Sequence, residues 1–298
     1  MPQRVAITGS SGLIGGALSA SLTERGDEVV HLVRREPRGP HEVRWDPAKR
    51  RLDPAALDGV DAVVNLAGAG VGDKRWTTGY RAEILASRVD STTTVAEAIA
   101  AAGGGIRLVS GSAVGYYGDR GEEVLDESSE PARSFLAQVC VAWESATRAA
   151  EQAGAPVAHI RTGIVLAPDG GAMAPVLRLA RLGLGGPMGS GKEYWPWITL
   201  HDHVRAVLHL LDHPELTGAV NLTGPAPSRQ KEIAAELGRA LHRPAVLPAP
   251  SPALRLVVGE FAGEILASAR VLPRRLEASG FAFDHADLRS AIGWLVRG

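Results

Sequence analysis

A chain of 298 residues with 45% apolar side chains can bury a full core, which excludes intrinsic disorder. Its formal net charge of -1 gives no electrostatic case for nucleic acid or an anionic membrane as partner. The one cysteine, Cys140, excludes an internal disulfide and a multi-thiol metal cluster.

The opening "MPQRVAITGSSG" enters a strand and turn without the apolar stretch of a secretion signal, and no apolar run reaches membrane-spanning length. The expectation is a soluble, cytoplasmic protein. Val5-Ala6-Ile7 reads as a short strand, followed by Gly9, Gly12 and Gly15 at spacing G-x-x-G-x-x-G. Ala17, Leu18 and Leu22 then form a helical stripe that ends at Arg25-Gly26, and "EVVHLV" is the second strand. A glycine turn between strand and helix lets backbone approach a pyrophosphate, and the helix start offers free N–H groups. Gly9, Ser10, Ser11, Gly12, Leu13 and Ile14 are therefore expected to bind a dinucleotide.

An NAD site would carry an acid about 20 residues beyond the glycines, for the ribose 2′-hydroxyl. Arg34 and Arg35 stand there instead. A guanidinium can hold a 2′-phosphate that a carboxylate would repel, so the expected cofactor is NADP. Val60 to Leu66 reads as a buried parallel strand, with Asp61 expected near the adenine. Leu66, Ala67 and Gly68 at its end leave room for a nucleotide.

These segments, with "LVSGSAVGYYG" (108–118), "RTGIVLAPDGGAM" (161–173), "WITLHDHV" (197–204) and "RLGLGGPMGSGKEYWPWI", resemble the extended short-chain dehydrogenase/reductase superfamily. The C-terminal "LPRRLEASGFAFDHADLRSAI" narrows the resemblance to an epimerase-family or NADP-dependent oxidoreductase branch of unknown substrate. The resemblance spans nearly the whole chain. It implies an α/β fold, with a Rossmann-type doubly wound parallel sheet and a smaller C-terminal α/β substrate lobe. The cofactor domain would cover 1–223, with an excursion at 166–200 toward a substrate lobe at 224–298. The resemblance also implies that "YRAEILASRV" approaches the cofactor, making Glu83 and Arg88 candidate contacts. It further implies a small-molecule partner, sugar-like or carbonyl, and a homodimer through the long helices.

The same resemblance implies that Ser112 hydrogen-bonds the reacting oxygen. The usual partner is a Tyr-x-x-x-Lys pair on the next long helix, where lysine lowers the tyrosine pKa. None of Tyr80, Tyr116, Tyr117 and Tyr194 has a lysine four residues on. The stretch "FLAQVCVAWESATRAAEQAG" (135–154) reads as one amphipathic helix with Cys140 and Glu144 at the family positions. Three candidates for proton movement remain: Tyr116, Tyr117 and Glu144. Cys140 reads as a small buried hydrophobe, since a thiol without a basic neighbour is a poor nucleophile.

Gly186 to Lys192 matches a phosphate-loop spacing, but Glu193 stands where Ser or Thr should bind magnesium, and "YWPWI" cannot start the required helix. An NTPase is rejected. Lys192, Trp195 and Trp197 instead suggest a substrate-side loop, with stacking by the tryptophans weighed against ordinary packing. His201 and His203 flank Asp202 without a third ligand set, so no metal is expected. Asp202 and Ser228 read as helix N-caps. The leading function is hydride transfer with a carbonyl or alcohol. Nucleotide-sugar epimerisation and a non-catalytic NADP(H) sensor are the alternatives.

Overall fold

The computed structural model describes residues 2–297. Its strands in chain order are β1 (Arg4–Thr8), β2 (Glu28–Val33), β3 (Glu42–Arg44), β4 (Ala62–Asn65), β5 (Arg107–Ala113), β6 (Val124–Leu125), β7 (Val157–Thr162), β8 (Ile164–Leu166), β9 (Tyr194–Trp195), β10 (Trp197–Thr199), β11 (Gly218–Leu222), β12 (Ser228–Arg229) and β13 (Arg270–Val271). The helices are α1 (Leu13–Arg25), α2 (Thr78–Ala101), α3 (Phe135–Ser145), α4 (Arg148–Gln152), α5 (Met173–Arg181), α6 (Leu200–Asp212), α7 (Gln230–Leu241), α8 (Ser251–Val258), α9 (Ala262–Ile265), α10 (Arg274–Ala278) and α11 (Leu288–Arg297).

Seven strands form one parallel sheet in the order β11-β7-β5-β4-β1-β2-β3. The order reverses between β1 and β4, which makes this a doubly wound Rossmann-type sheet with its ligand crevice over the strand C-termini. Helices cover both faces, so the inner strands are apolar on both sides; Val5, Ala6 and Ile7 are fully buried. Leu18 and Leu22 of α1 join Val207 and Leu210 of α6 on one face. Val95 and Ile99 of α2 join Ala150 of α4 on the other. Each buried Val, Leu or Ile among them contributes roughly 1.5–3 kcal/mol.

A smaller lobe has its own core of Leu166, Leu177, Trp195, Trp197, Leu237 and Leu295, which draws α5, α7 and α11 around the short β8–β10 and β9–β12 ladders. The chain after 224 does not lie wholly in that lobe. Leu276, Phe281 and Phe283 join the main core beside α6.

Several local expectations are corrected. The 135–154 helix is interrupted at Ala146–Thr147, where the buried Thr147 hydroxyl donates to the Glu144 carbonyl at 2.7 Å. The strand expected over 60–66 is the shorter β4. Asp61 lies at the sheet's other edge, accepting from the Arg4 N–H at 2.7 Å, far from any adenine site over the strand C-termini. Thr199, not Asp202, caps α6, its hydroxyl accepting from Asp202 N–H at 3.0 Å. Ser228 is not a cap but a buried acceptor for Trp197 Nε1 at 3.1 Å; Arg229 precedes α7 and donates its N–H to Glu232. Among the described residues no helix is long and apolar enough to cross a membrane.

Candidate active site

Above the sheet's C-terminal edge lies a cleft of about 620 Å³, within the range of roughly 300–1,000 Å³ usual for small-molecule sites. The ends of four strands line it: Gly9 after β1, Leu66 and Gly68 after β4, Ser112 in β5 and Thr162 in β7. Its glycine turn is held from below by Thr8. The Thr8 hydroxyl donates to Asn65 Oδ1 at 2.7 Å and accepts from the Leu66 and Ala67 N–H groups at 3.0 and 3.1 Å.

Two glycines of the turn are sterically required. Gly9 has φ +68°, a conformation other residues rarely adopt. A Cβ on Gly15 would stand 2.3 Å from the Gly9 carbonyl oxygen. Gly12 precedes α1 and brings no side-chain cap, so the first-turn N–H groups are available to an anion. Gly9, Gly12, Leu13 and Ile14 line the cleft, whereas Ser10 and Ser11 sit in the turn outside the wall. Ala67 also stays outside the wall.

The two arginines after β2 behave differently. Arg35 is paired with Glu42 through both terminal nitrogens, at 2.7 and 2.5 Å, and this pairing holds the Glu42 carboxyl down at about 2. Arg34 is exposed and makes no hydrogen bond or ion pair among the described residues. Arg88 lines the cleft beside Gly68, with its guanidinium 5.0 Å from the Trp143 ring. It donates to the Ala69 and Ile84 carbonyls, and burial lowers its pKa. Glu83 lies outside the wall, 3.3 Å from Lys74 Nζ.

Ser112 is 3% exposed and lines the cleft floor. Its hydroxyl donates to Glu144 Oε1 at 2.7 Å. Arg161 grips the same carboxylate with two donors, Nε to Oε1 at 2.8 Å and Nη2 to Oε2 at 3.0 Å. The pair is nearly dry, at 5% exposure for Arg161 and 13% for Glu144. Parallel pairing sets Arg161 of β7 beside Ser112 of β5, and α3 lowers Glu144 onto both. Ser112 and Arg161 thus aim three donors at the one carboxylate.

Neither candidate tyrosine forms part of the cleft wall. Tyr117 is fully buried, with its hydroxyl donating to Asn221 Oδ1 at 2.7 Å and accepting from Arg161 Nη1 at 3.0 Å. Burial pushes its pKa up to about 12, and its hydroxyl is paired away from the cleft. Tyr116 lies flat against Arg161, whose Cζ is 3.5 Å from the ring centroid. Both rings shield the Arg161–Glu144 pair from water. Cys140 lines the wall but is 3% exposed, and burial, then the nearby Glu144, raises its thiol to about 12.

Trp195 lines the cleft and donates Nε1 to the Ile265 carbonyl at 3.0 Å, whereas Trp197 is core. Lys192 is exposed and lies outside the wall. His201, Asp202 and Asp284 do converge, but Asp202 spends its oxygens on Thr199, Arg205 and the N–H groups of Asp284 and His285.

Sequence reasoning missed Arg161 and Glu264, the latter a wall residue from α9. A charged residue inside the apolar run "VAHIRT" was a usable signal, because a buried guanidinium demands an acceptor. Glu264 sits on a helical turn too short to show a pattern.

Comparison with known proteins follows the same lines. The model of the NAD dependent epimerase/dehydratase family matches residues 5–222, and that of a domain of unknown function, DUF1731, matches residues 249–295. The chain is 45% identical to the epimerase family protein Mb2239 of Mycobacterium bovis, over 97% of this chain and 96% of that one. It resembles the crystal structure of human epimerase family protein SDR39U1 (isoform 2) with NADPH, at TM-score 0.90 and 33% identity, with 99% of both chains covered. A nucleoside-diphosphate sugar epimerase from Corynebacterium glutamicum aligns at TM-score 0.81 and 36% identity, over 99% of this chain and 58% of that longer one.

Proposed function

The chain belongs to the NAD dependent epimerase/dehydratase family, and on that premise we propose that it is an NADP(H)-dependent oxidoreductase of a carbonyl or alcohol. The observation that carries this reading is the Ser112–Glu144–Arg161 chain on the floor of a cleft that begins at a dinucleotide-type glycine turn. The human relative's NADPH supports the cofactor class.

The residues fit the cofactor. Gly9 and Gly15 leave a cradle that a Cβ would fill, and the uncapped start of α1 suits a pyrophosphate. Arg34, unpaired among the described residues, offers a cation for a 2′-phosphate, with Arg35 joining it if Glu42 releases. When bound, the cofactor supplies a hydride donor or acceptor. Ser112 accepts a hydrogen bond from the substrate hydroxyl and passes its own proton to Glu144 Oε1 as the hydroxyl proton arrives on Ser112 Oγ. In reduction Glu144 takes a proton from solvent and the path runs backward, Ser112 giving its proton to the new alcohol oxygen. Arg161 fixes the orientation of Glu144. This arrangement replaces the tyrosine and lysine that α3 lacks.

Epimerisation by transient oxidation would use the same proton path. A non-catalytic sensor would bind cofactor and leave this path idle. The test is NADPH-dependent reduction over a panel of aldehydes and ketones. Ser112→Ala is expected to lower kcat by about 10²–10⁴-fold with NADPH affinity unchanged. Full activity in that variant contradicts the assignment, and cofactor binding without turnover of any carbonyl or alcohol favours the sensor.

A further inference from the structure

We propose that Glu264 anchors the substrate, selecting a largely apolar carbonyl or alcohol that bears a hydrogen-bond donor or positive charge over an anionic one such as a sugar nucleotide. This rests on the oxidoreductase reading and adds the substrate class.

The smaller lobe presents Trp195, Pro196, Phe261, Glu264, Ala267 and Ala269 to the cleft. Five of the six are apolar, and Glu264 is the only charged one. The carboxylate is half-buried, yet it has no hydrogen bond or ion pair among the described residues. Burial alone raises its pKa, with no neighbouring charge contributing. Its carboxylate faces the cleft with no protein partner among the described residues, so a ligand donor can take the place of the water there.

Its position is fixed from both sides. The preceding Phe261 packs tilted against Trp76, ring centroids 5.6 Å apart, and Glu260 is bonded to Arg81 of α2. The following Ile265 receives the Trp195 hydrogen bond. From α3, Leu136, Val139 and Trp143 add further apolar wall. The one cation of the wall is Arg88, on the side of Gly68 and the glycine turn. A diphosphate entering on the smaller-lobe side would meet a carboxylate and no cation.

The test uses two matched ketones, 4-(aminomethyl)acetophenone and 4-acetylbenzoate, with UDP-glucose as the sugar nucleotide. Dissociation constants are measured by ligand-observed NMR on the full chain loaded with NADPH. The amine should bind the wild type at least about fivefold more tightly than the carboxylate. Glu264→Gln should bring the two within about twofold, and Glu264→Lys should reverse their order, both with NADPH affinity retained. The proposal is overturned if the preference survives in Glu264→Gln, if 4-acetylbenzoate or UDP-glucose binds more tightly, or if neither ketone binds. Failure of NADPH itself to bind the wild type would contradict the cofactor reading instead; the same ketone ratio on the unloaded chain then decides the role of Glu264.

Discussion

Ser112 and Glu144 show how one hydrogen bond depends on a distant charge. Without Arg161 a carboxylate this dry would lose its counterion, and the direction of the Ser112 proton would no longer be set. His203 is a second buried titratable group, and its consequence is for stability. It is fully buried, its Nε2 is 3.0 Å from Thr162 Oγ1, and burial lowers its pKa from 6.5 to about 4. A base whose folded pKa is depressed stabilises the fold above its unfolded value, and that stability is lost as pH falls toward the folded value. The window here runs from 6.5 down to about 4. Between about pH 7 and about pH 5, wild type should lose about 2 kcal/mol more unfolding free energy than His203→Gln. Urea unfolding at the two pH values checks this, and equal losses would show that His203 charges freely in the fold.

At the scale of elements, the strand-turn-helix β1-turn-α1 was legible because each signal is local: an apolar run, glycines at a fixed spacing, then a helical stripe. The structure adds why Gly15 cannot vary. An added Cβ meets backbone at the Gly9 carbonyl, which no rotamer change relieves. Gly15→Ala should push α1 away from the turn and raise the NADPH dissociation constant at least about tenfold, while far-ultraviolet circular dichroism stays unchanged. Unchanged affinity would mean the turn yields without disturbing the cradle. The α3 region was less legible. A helix was read correctly over 135–145, but at the interruption Thr147 also meets His159 of β7, its Oγ1 2.9 Å from Nε2, which no local pattern encodes.

Across the whole molecule, the sheet order and the cleft at its switch point follow from the βαβ pattern, whereas the chemistry of the cleft depends on long-range register. The role expected of Ser112 came from the family resemblance. Its dependence on Arg161 required knowing that β5 and β7 are neighbours, and Tyr117 was misplaced because its burial depends on Asn221 of β11. The smaller lobe adds Glu264 from a segment with no periodicity to read. These scales meet at the cofactor, since a cleft built on the glycine turn must take NADP(H) before any proton can move. The most direct measurement is a fluorescence titration of the wild type and Arg34→Glu with NADPH and with NADH. Wild type is predicted to bind NADPH at least about tenfold more tightly than NADH, with Arg34→Glu losing that preference. Equal affinities would contradict the 2′-phosphate site, and no binding of either would contradict the oxidoreductase account as a whole.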